Sequence, residues 1–279
     1  MQVLSGRPIA EERQARLAQR ARDLAARGLR PRLAVILASE DPSAVAYLRA
    51  QERLGKAVGI AVERVSLTSP TTETLLRMVR DLACDPDAPA LLVETPLPDG
   101  VDAQAIRDAL PLEKDVDGAG TAALGRLLAG GGGFLPATAE AVLTLLRSYG
   151  IRIAGRRAVV VGRSLVVGRP LALLLLAEDA TVTVCHSRTT DLAAITREAD
   201  LICVAVGRPG LLTGEMLRRG AVVVDVGTNR VDGKIVGDAD WASVSEVAGA
   251  ASPVPGGVGP LTNVLLLEHV AEATERAAR

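Results

Sequence analysis

The chain has 279 residues, 48% of them hydrophobic, which is enough for one large domain or two ordinary domains with sizeable cores. Its 32 basic and 33 acidic residues nearly cancel and aromatic residues make up 1%, which excludes a nucleic-acid partner that would need a basic surface and stacking platforms. Three scattered cysteines argue against a disulfide framework or a metal site and fit a cytoplasmic protein, and no apolar run is long enough to anchor the chain in a membrane.

The first half of the chain alternates predicted helices and strands. Apolar residues at helical spacing predict a helix over 8–28, which ends at Gly28 and is followed by Pro31. Apolar runs predict strands at 33–38, 60–67 and 90–93, with helices at 42–58 and 72–83. Strands that alternate with helices indicate βαβ units around a parallel sheet buried on both faces.

A second α/β series follows a glycine-rich stretch at 118–133. Helices are predicted at 137–149 and 170–177, and strands at 158–161, 181–185, 201–206 and 221–226. The predicted fold class is therefore α/β with two lobes, the second a Rossmann-type parallel sheet. A last helix at 262–277 is expected to return to the first lobe.

Residues 159–170, V-V-V-G-R-S-L-V-V-G-R-P, predict a strand, a tight turn and the start of a helix. Gly162 and Gly168 let the backbone approach a phosphate closely, and the free N–H groups of a helix N-terminus face the anion. The spacing departs from G-x-G-x-x-G, because Ser164 replaces the second glycine and Gly168 comes one residue late. The pattern favours a dinucleotide site, which would also include Arg163. The alternative is a plain strand-to-helix turn.

The end of the next strand favours NADP over NAD. A dinucleotide fold that binds NAD usually has an acidic residue there, but no acid occurs before Asp191. Ser187 and Arg188 suit a 2′-phosphate instead, because a guanidinium forms bidentate contacts with phosphate oxygens. His186 is expected to have a structural role at the strand end, and His269 a surface or packing role.

Six blocks of sequence resemble, in one order, the family of bifunctional methylenetetrahydrofolate dehydrogenase/methenyltetrahydrofolate cyclohydrolases. They lie at 42–47, 96–98 (P-L-P), 114–118 (K-D-V-D-G), 162–170, 225–230 and 253–260 (P-V-P-G-G-V-G-P). The resemblance implies a homodimer in which each protomer pairs a folate lobe (1–136 plus 263–279) with an NADP-binding lobe (137–262), with the active site in the cleft between them. A tetrahydrofolate-type substrate would pass a hydride to NADP, and water would then add to the resulting cation to give 10-formyltetrahydrofolate.

The resemblance also implies the catalytic residues. The family uses a tyrosine followed four residues later by a lysine, a glutamine at a Q-L-P-L-P strand end, and the second aspartate of K-D-V-D-G. These positions map to Tyr47, Gln51, Glu94 and Asp117, so the lysine and the glutamine are both replaced. Lys56 cannot substitute for the lysine, because nine residues correspond to about 900° of helical rotation and place it on the opposite face.

Further binding residues follow from the same resemblance. Thr228 falls where the family's backbone meets the nicotinamide end of the coenzyme, and Pro255, Gly256 and Gly257 fall in a loop that borders the substrate. The K-D-V-D-G block continues into Ala119 and a glycine where the family has Phe-His.

These replacements predict a dehydrogenase with little or no cyclohydrolase activity. Water addition needs proton transfers by a group that titrates near the working pH, and the Gln51 amide does not titrate there, so hydrolysis would depend on Glu94. Hydride transfer mainly needs positioning and stabilisation of a developing positive charge, which a carboxylate favours. Two alternatives stay open: a catalytically silent paralogue that acts as a binding or regulatory partner, and an NADP enzyme with a different cationic or imine substrate.

The candidate catalytic residues also have ordinary structural interpretations. Tyr47 could be a helix residue packed on the core, Glu94 a solvated strand end, and Asp117 a turn cap. Lys114 and Asp115 are expected to form a pair on a surface turn.

Overall fold

A computed structural model describes residues 1–67 and 70–279. The chain divides into two compact units. The three-stranded unit comprises Glu12–Ala137 and Asn263–Arg279, and the six-stranded unit comprises Met1–Glu11 and Thr138–Thr262. This division differs from the boundaries expected from the sequence mainly in the first eleven residues, which belong to the six-stranded unit.

The secondary structure follows the predicted alternation. The strands are β1 (Gln2–Val3), β2 (Arg32–Leu37), β3 (Ala61–Ser66), β4 (Ala90–Val93), β5 (Arg157–Val161), β6 (Thr181–Cys185), β7 (Leu201–Val204), β8 (Val222–Asp225), β9 (Asn229–Val231), β10 (Lys234–Val236) and β11 (Ala250–Ala251). The helices are α1 (Arg7–Ala26), α2 (Pro42–Val58), α3 (Thr72–Cys84), α4 (Ala103–Ala109), α5 (Thr121–Leu128), α6 (Ala137–Ser148), α7 (Gly168–Ala177), α8 (Leu192–Arg197), α9 (Trp241–Val247) and α10 (Val258–Ala277). Each predicted strand and helix is present, whereas the four shortest helices and the strands β1, β9, β10 and β11 were not predicted.

The three-stranded unit is built on a parallel sheet in the order β3-β2-β4. Strand β2 is central, so Leu33 pairs with Val62 on one side and with Ala90 on the other. Helices α3 and α4 cover it with an apolar cluster that includes Ala34, Ile36, Leu75, Val79, Leu91, Ile106 and Leu110. The carboxyl ends of β2 and β4 therefore lie side by side.

Helix α2 begins and ends where local chemistry dictates. The Asp41 carboxylate caps it by accepting a hydrogen bond from the backbone N–H of Ser43 at 2.8 Å, and Pro42 occupies the first turn, where a missing N–H costs little. Gly59 ends it in the left-handed conformation with φ +82°. The buried positions Ala44, Leu48, Gln51, Gly55 and Val58 form one stripe at helical spacing. Gln51 is the polar member of this stripe, and Lys56, which lies outside it, is exposed.

The six-stranded unit contains a parallel sheet in the order β1-β11-β8-β7-β5-β6. From β5 the chain goes first to β6 on one side and then crosses to β7 on the other side. Open α/β sheets bind ligands beyond the carboxyl ends of the strands at such a reversal. The predicted α/β class with a Rossmann-type sheet is confirmed, and most of α10 belongs to the three-stranded unit, as expected.

The first residues of the chain form the edge of the larger sheet. Strand β1 pairs in parallel with β11, where the N–H of Gln2 donates to the carbonyl of Gly249 and the N–H of Leu4 donates to that of Ala251, both at 2.8 Å. This pairing explains why the first eleven residues belong to the six-stranded unit.

Candidate active site

Gln51 and Glu94 meet at the carboxyl end of the three-stranded sheet. Glu94 directly follows β4 and continues its ladder, because its N–H donates to the carbonyl of Ile36 at 2.9 Å. Gln51 is fully buried on α2 and its Nε2 donates to Glu94 Oε1 at 3.3 Å. Glu94 is only 7% exposed, so its interpretation as a solvated strand end is wrong.

Tyr47 and Asp117 belong to the same cluster, as their electrostatic coupling shows. Burial, and then the charge of Asp117, raise the pKa of Glu94 to about 8, although the hydrogen bond from Gln51 opposes the shift. Burial, and then the Asp115 carboxylate, raise the pKa of Asp117 to about 7. The pKa of the Tyr47 phenol is well above its usual value, because of burial and then the charges of Asp117 and Glu94. Paired acids with raised pKa values are typical of proton-transfer or cation-binding sites.

The K-D-V-D-G turn runs alongside β4. The carbonyl of Lys114 accepts the Leu91 N–H at 2.7 Å, and the Lys114 ammonium donates to the carbonyl of Asp85 at 2.7 Å. Asp115 is 2% exposed and its Oδ2 accepts the N–H of Gly120 at 2.7 Å. The expectation of a surface pair is therefore wrong: each side chain ties down backbone, and together they place Asp117 beside the end of the strand.

His269 supports this turn from helix α10. It is 7% exposed, its Nδ1 lies 2.7 Å from the carbonyl oxygen of Val116, and its ring packs against Phe134 with the centroids 5.1 Å apart. Burial raises the pKa values of Asp115 and Asp117, and the charge of His269 opposes this rise to a small extent. Of the two roles expected for His269, the structure shows packing in the interior.

The predicted phosphate turn is a tight backbone loop between β5 and α7. Gly162 has φ +125°, and a side chain there would overlap the carbonyl of Ala205, which follows β7. A side chain on Gly168 would overlap the carbonyl of Gly162, so neither position has room for a Cβ. The Ser164 hydroxyl accepts the N–H of Gly168 at 3.3 Å, which explains how a serine serves at the position of the second glycine. Arg163 is exposed at the turn.

The end of β6 presents Ser187 and Arg188 to solvent. His186 shapes this turn: its N–H donates to Thr189 Oγ1 at 2.8 Å and its Nδ1 accepts the N–H of Arg188 at 3.2 Å. The structural role expected for His186 matches these contacts. The hydroxyl and the guanidinium are accessible to an anion.

Two buried aspartates organise the ends of β7 and β8. Asp225 accepts the N–H groups of Gly227 at 2.9 Å and of Ala239 at 2.8 Å, and burial raises the pKa of Asp225 to about 6. Asp238 is fully buried and accepts the N–H groups of residues 206–208, the shortest of these hydrogen bonds being 2.6 Å to Val206. Thr228, which directly follows Gly227 in this hydrogen-bond network, is exposed.

The predicted substrate-bordering loop has a fixed backbone. Gly256 has φ +113°, and its carbonyl accepts the N–H of Gly6 at 2.8 Å. The N–H of Gly257 donates to the carbonyl of Pro253 at 2.8 Å, just before α10 begins. Pro255 is exposed, whereas both glycines are buried.

Neither a metal centre nor a membrane span is found within 1–67 and 70–279. No group of three or more histidine, cysteine or acidic side chains in that part of the chain could hold a metal ion. None of its helices is both long and apolar enough to cross a membrane.

Two family models match the chain: the catalytic domain of tetrahydrofolate dehydrogenase/cyclohydrolase at residues 4–117 and its NAD(P)-binding domain at residues 136–278. The chain belongs to the tetrahydrofolate dehydrogenase/cyclohydrolase family. It is 51% identical to the bifunctional protein FolD of Nocardia farcinica over 98% of this chain and 97% of that protein. It resembles the crystal structure of the bifunctional FolD enzyme from Campylobacter jejuni with a TM-score of 0.95, 39% identity and 99% coverage of both chains. The Trypanosoma brucei dehydrogenase-cyclohydrolase complexed with NADP and an inhibitor matches with a TM-score of 0.94, 36% identity, and coverage of 99% of this chain and 98% of that one.

The two matches of the tetrahydrofolate dehydrogenase/cyclohydrolase family cover different candidate residues. Tyr47, Gln51, Glu94 and Asp117 all lie in the catalytic match, and the turn that begins at Gly162 lies in the NAD(P)-binding match. The backbone around Gly162 and Gly168 leaves no room for a side chain at either position, so a ligand can approach the main chain closely. Such a turn fits a bound pyrophosphate.

Four buried residues of this family member were not predicted as parts of the sites: Asp115, Asp225, Asp238 and His269. Asp115 and Asp225 lie within matching blocks, which could have pointed to them. Asp238 and His269 lie far in sequence from the loops they hold, and no local pattern marks them.

Proposed function

We propose that the chain is an NADP-dependent 5,10-methylenetetrahydrofolate dehydrogenase of one-carbon metabolism whose methenyltetrahydrofolate cyclohydrolase activity is weak or lost. The observation that carries the second part is the buried hydrogen bond from Gln51 Nε2 to Glu94 Oε1 at 3.3 Å. The names of the relatives support the two activities and the NADP coenzyme. In this proposal Tyr47 and Asp117 complete the substrate side of the site.

The coenzyme is held by the six-stranded unit. When bound there, NADP would supply the acceptor for the hydride that leaves the methylene carbon of the substrate. The Gly162 turn and the N-terminus of α7 would receive the pyrophosphate, and exposed Ser187 and Arg188 would receive the 2′-phosphate, which favours NADP over NAD. Thr228 would contact the nicotinamide end, and the loop at 255–257 would border the substrate.

The acids of the three-stranded unit suit the first reaction. Departure of the hydride leaves a positive charge on the substrate, and the carboxyl groups of Glu94 and Asp117 would stabilise it electrostatically. The Tyr47 phenol stays protonated at neutral pH because its pKa is well above the usual value, so it acts as a hydrogen-bond donor rather than as a base.

The second reaction lacks a ready proton acceptor. Water that adds to the methenyl carbon must lose a proton, and the Gln51 amide cannot take it. In the unliganded site Glu94 is mostly protonated at neutral pH because its pKa is raised to about 8, and if it ionises beside the cation its charge would be engaged in pairing with that cation. The site therefore favours formation of the cation over its hydrolysis.

A two-wavelength turnover assay tests the proposal. NADPH formation and methenyl decay are followed separately, with NADP and with NAD as coenzyme. We expect NADP-dependent oxidation of methylenetetrahydrofolate and accumulation of the methenyl product. Hydrolysis at a rate comparable with oxidation would contradict the loss of cyclohydrolase activity.

Variants that restore the residues of the family motif provide the matched control for the expected loss of methenyl hydrolysis. The double substitution Gln51→Lys with Glu94→Gln is expected to increase the rate of methenyl hydrolysis, because an ammonium that can titrate returns to the buried pair. An unchanged hydrolysis rate in a folded double variant would show that the weakness lies elsewhere in the site.

The same assay separates the two alternative functions. NADP binding without turnover, together with co-purification of a second chain of similar size, would indicate a silent regulatory partner. If the chain binds NADP but a folate ligand gives the protein no protection, the substrate would be a different cation or imine. The intact nucleotide turn argues against simple decay of the enzyme, because decay would erode both sites.

Assembly and location are also part of the proposal. We expect a homodimer in the cytoplasm, as the resemblance to the family implies, and size-exclusion chromatography with light scattering tests the first of these. A mass of one chain would contradict it.

A further inference from the structure

The hydrogen bond between Gln51 and Glu94 leaves an acceptor without a partner. Gln51 uses its Nε2 donor on Glu94, while its Oε1 is buried and has no hydrogen-bond partner among the described residues. A buried carbonyl oxygen without a donor is unfavourable by about 1–3 kcal/mol. The pair therefore presents the Gln51 oxygen and the Glu94 carboxyl, which together suit a ligand that carries positive charge or N–H groups.

Among the described residues, the side chains that directly shift the pKa of Glu94 supply no positive charge. The described side chains that shift its pKa are Asp117, from the K-D-V-D-G turn, and Gln51, from α2. The Tyr47 phenol on α2 also faces it, since the Glu94 charge raises the pKa of that phenol. The charge of Asp115 raises the pKa of Asp117 in turn, and His269 partly opposes that rise. Such a set of acids, with Glu94 buried and Asp117 partly exposed, stays neutral by holding protons, or becomes ionised when a cation enters.

We propose that Gln51 and Glu94 are specificity-determining residues that bind the methenyltetrahydrofolate cation in preference to neutral tetrahydrofolates, and that Glu94 releases its proton when the cation occupies the site. The inference rests on the proposed function and names the charge state that the site selects. In chemical terms, protonated Glu94 and the free cation give the carboxylate–cation pair and one proton in solvent. No other bond is made or broken.

The same interaction would oppose hydrolysis. The pair stabilises the positive charge of the bound cation before water attacks. In the transition state of hydrolysis this charge is being lost, so the reactant is stabilised more than the transition state. The pair would therefore promote the dehydrogenase step and slow the hydrolase step.

Rapid mixing of the full chain with 5,10-methenyltetrahydrofolate in weak buffer, with a pH indicator, measures the proton release. A carboxyl group of pKa about 8 is about nine-tenths protonated at pH 7, so we expect a burst of nearly one proton per site. The burst must precede any loss of methenyl absorbance, because hydrolysis of the cation also releases a proton. Tetrahydrofolate serves as the neutral ligand and should give no burst from Glu94.

Three variants make the assignment specific. Glu94→Gln removes the acid at constant shape and should abolish the Glu94 burst and lower the preference for the cation at least tenfold. Gln51→Lys should also abolish the burst, because a neighbouring ammonium ionises Glu94 beforehand. Glu113→Gln removes an exposed glutamate of the same unit and should retain both the burst and the preference.

The outcomes separate the inference from the proposed function. NADP-dependent turnover without a proton burst, or a Glu94→Gln variant that keeps the burst and the cation preference, would overturn the inference and leave the dehydrogenase assignment intact. Absence of both turnover and folate binding would overturn the proposed function, and the inference with it. If Glu94→Gln does not fold, the comparison of the wild-type chain with Gln51→Lys decides.

Discussion

Replacing Glu94 by glutamine is expected to make the protein more stable at neutral and alkaline pH. Burial raises the pKa of Glu94 from 4.5 to about 8, so the folded state holds this proton more tightly than the unfolded state does. The stability associated with the proton is fully present below pH 4.5 and is lost as the pH rises through 8. Glutamine keeps the size and the hydrogen bond to Gln51 but cannot ionise.

The size of the effect follows from the shift. One pKa unit corresponds to 1.36 kcal/mol, so the rise from 4.5 to about 8 amounts to about 5 kcal/mol once both states are ionised, and to about 3 kcal/mol at pH 7. The advantage of Glu94→Gln over the wild-type chain should therefore increase by about 1.4 kcal/mol per pH unit in this window.

Urea unfolding at a series of pH values from 4 to 9, followed by circular dichroism, measures this difference. Glu113→Gln is the matched control, because Glu113 is exposed, and its difference from wild type should stay nearly constant with pH. A Glu94→Gln difference that is equally flat would show that Glu94 titrates like a solvated glutamate, and would refute the reasoning.

The other predictions concern the six-stranded unit and its backbone. Arg188→Ala should weaken NADP binding about 10- to 100-fold and leave NAD binding unchanged in calorimetric titrations, since one charge-assisted hydrogen bond contributes about 1.5–3 kcal/mol; equal loss for both coenzymes would contradict the role. Gly168→Ala should abolish NADP binding and destabilise the fold, because the new Cβ would overlap the Gly162 carbonyl. Its control is Gly125→Ala, at an open helical position, which should be neutral or stabilise the fold by up to about 1 kcal/mol. Asp238→Ala should lower the free energy of unfolding by about 3 kcal/mol or more, because three backbone N–H groups lose their acceptor; a smaller loss would mean that water replaces the carboxylate.

The regular elements could be predicted because their signals are local. The run of valines in β5, the glycines after it and the apolar helix α7 are adjacent in the chain, and the structure places them within two residues of the prediction. Strands β1 and β11 have two residues each and pair across nearly the whole length of the chain, so no local pattern marks them. The same reason explains the unexpected assignment of the first eleven residues.

The candidate site could be predicted only in part. Helical spacing and the resemblance pointed to Tyr47, Gln51 and Glu94, but the burial of Glu94 depends on an amide that α2 brings over the end of β4. Asp115 was expected at the surface because a Lys-Asp pair in a turn is usually solvated. Its actual partners are backbone N–H groups, which the sequence letters do not reveal.

The pairing of β1 with β11 has a practical consequence for handling the protein. An affinity tag fused ahead of Met1 would begin one residue before an edge strand, and a protease that trims past Leu4 would strip the strand away. The uncovered amides and carbonyls of β11 would then be open to pairing between molecules, a common start of aggregation. A purification handle on the carboxyl side of α10 would leave this edge strand intact.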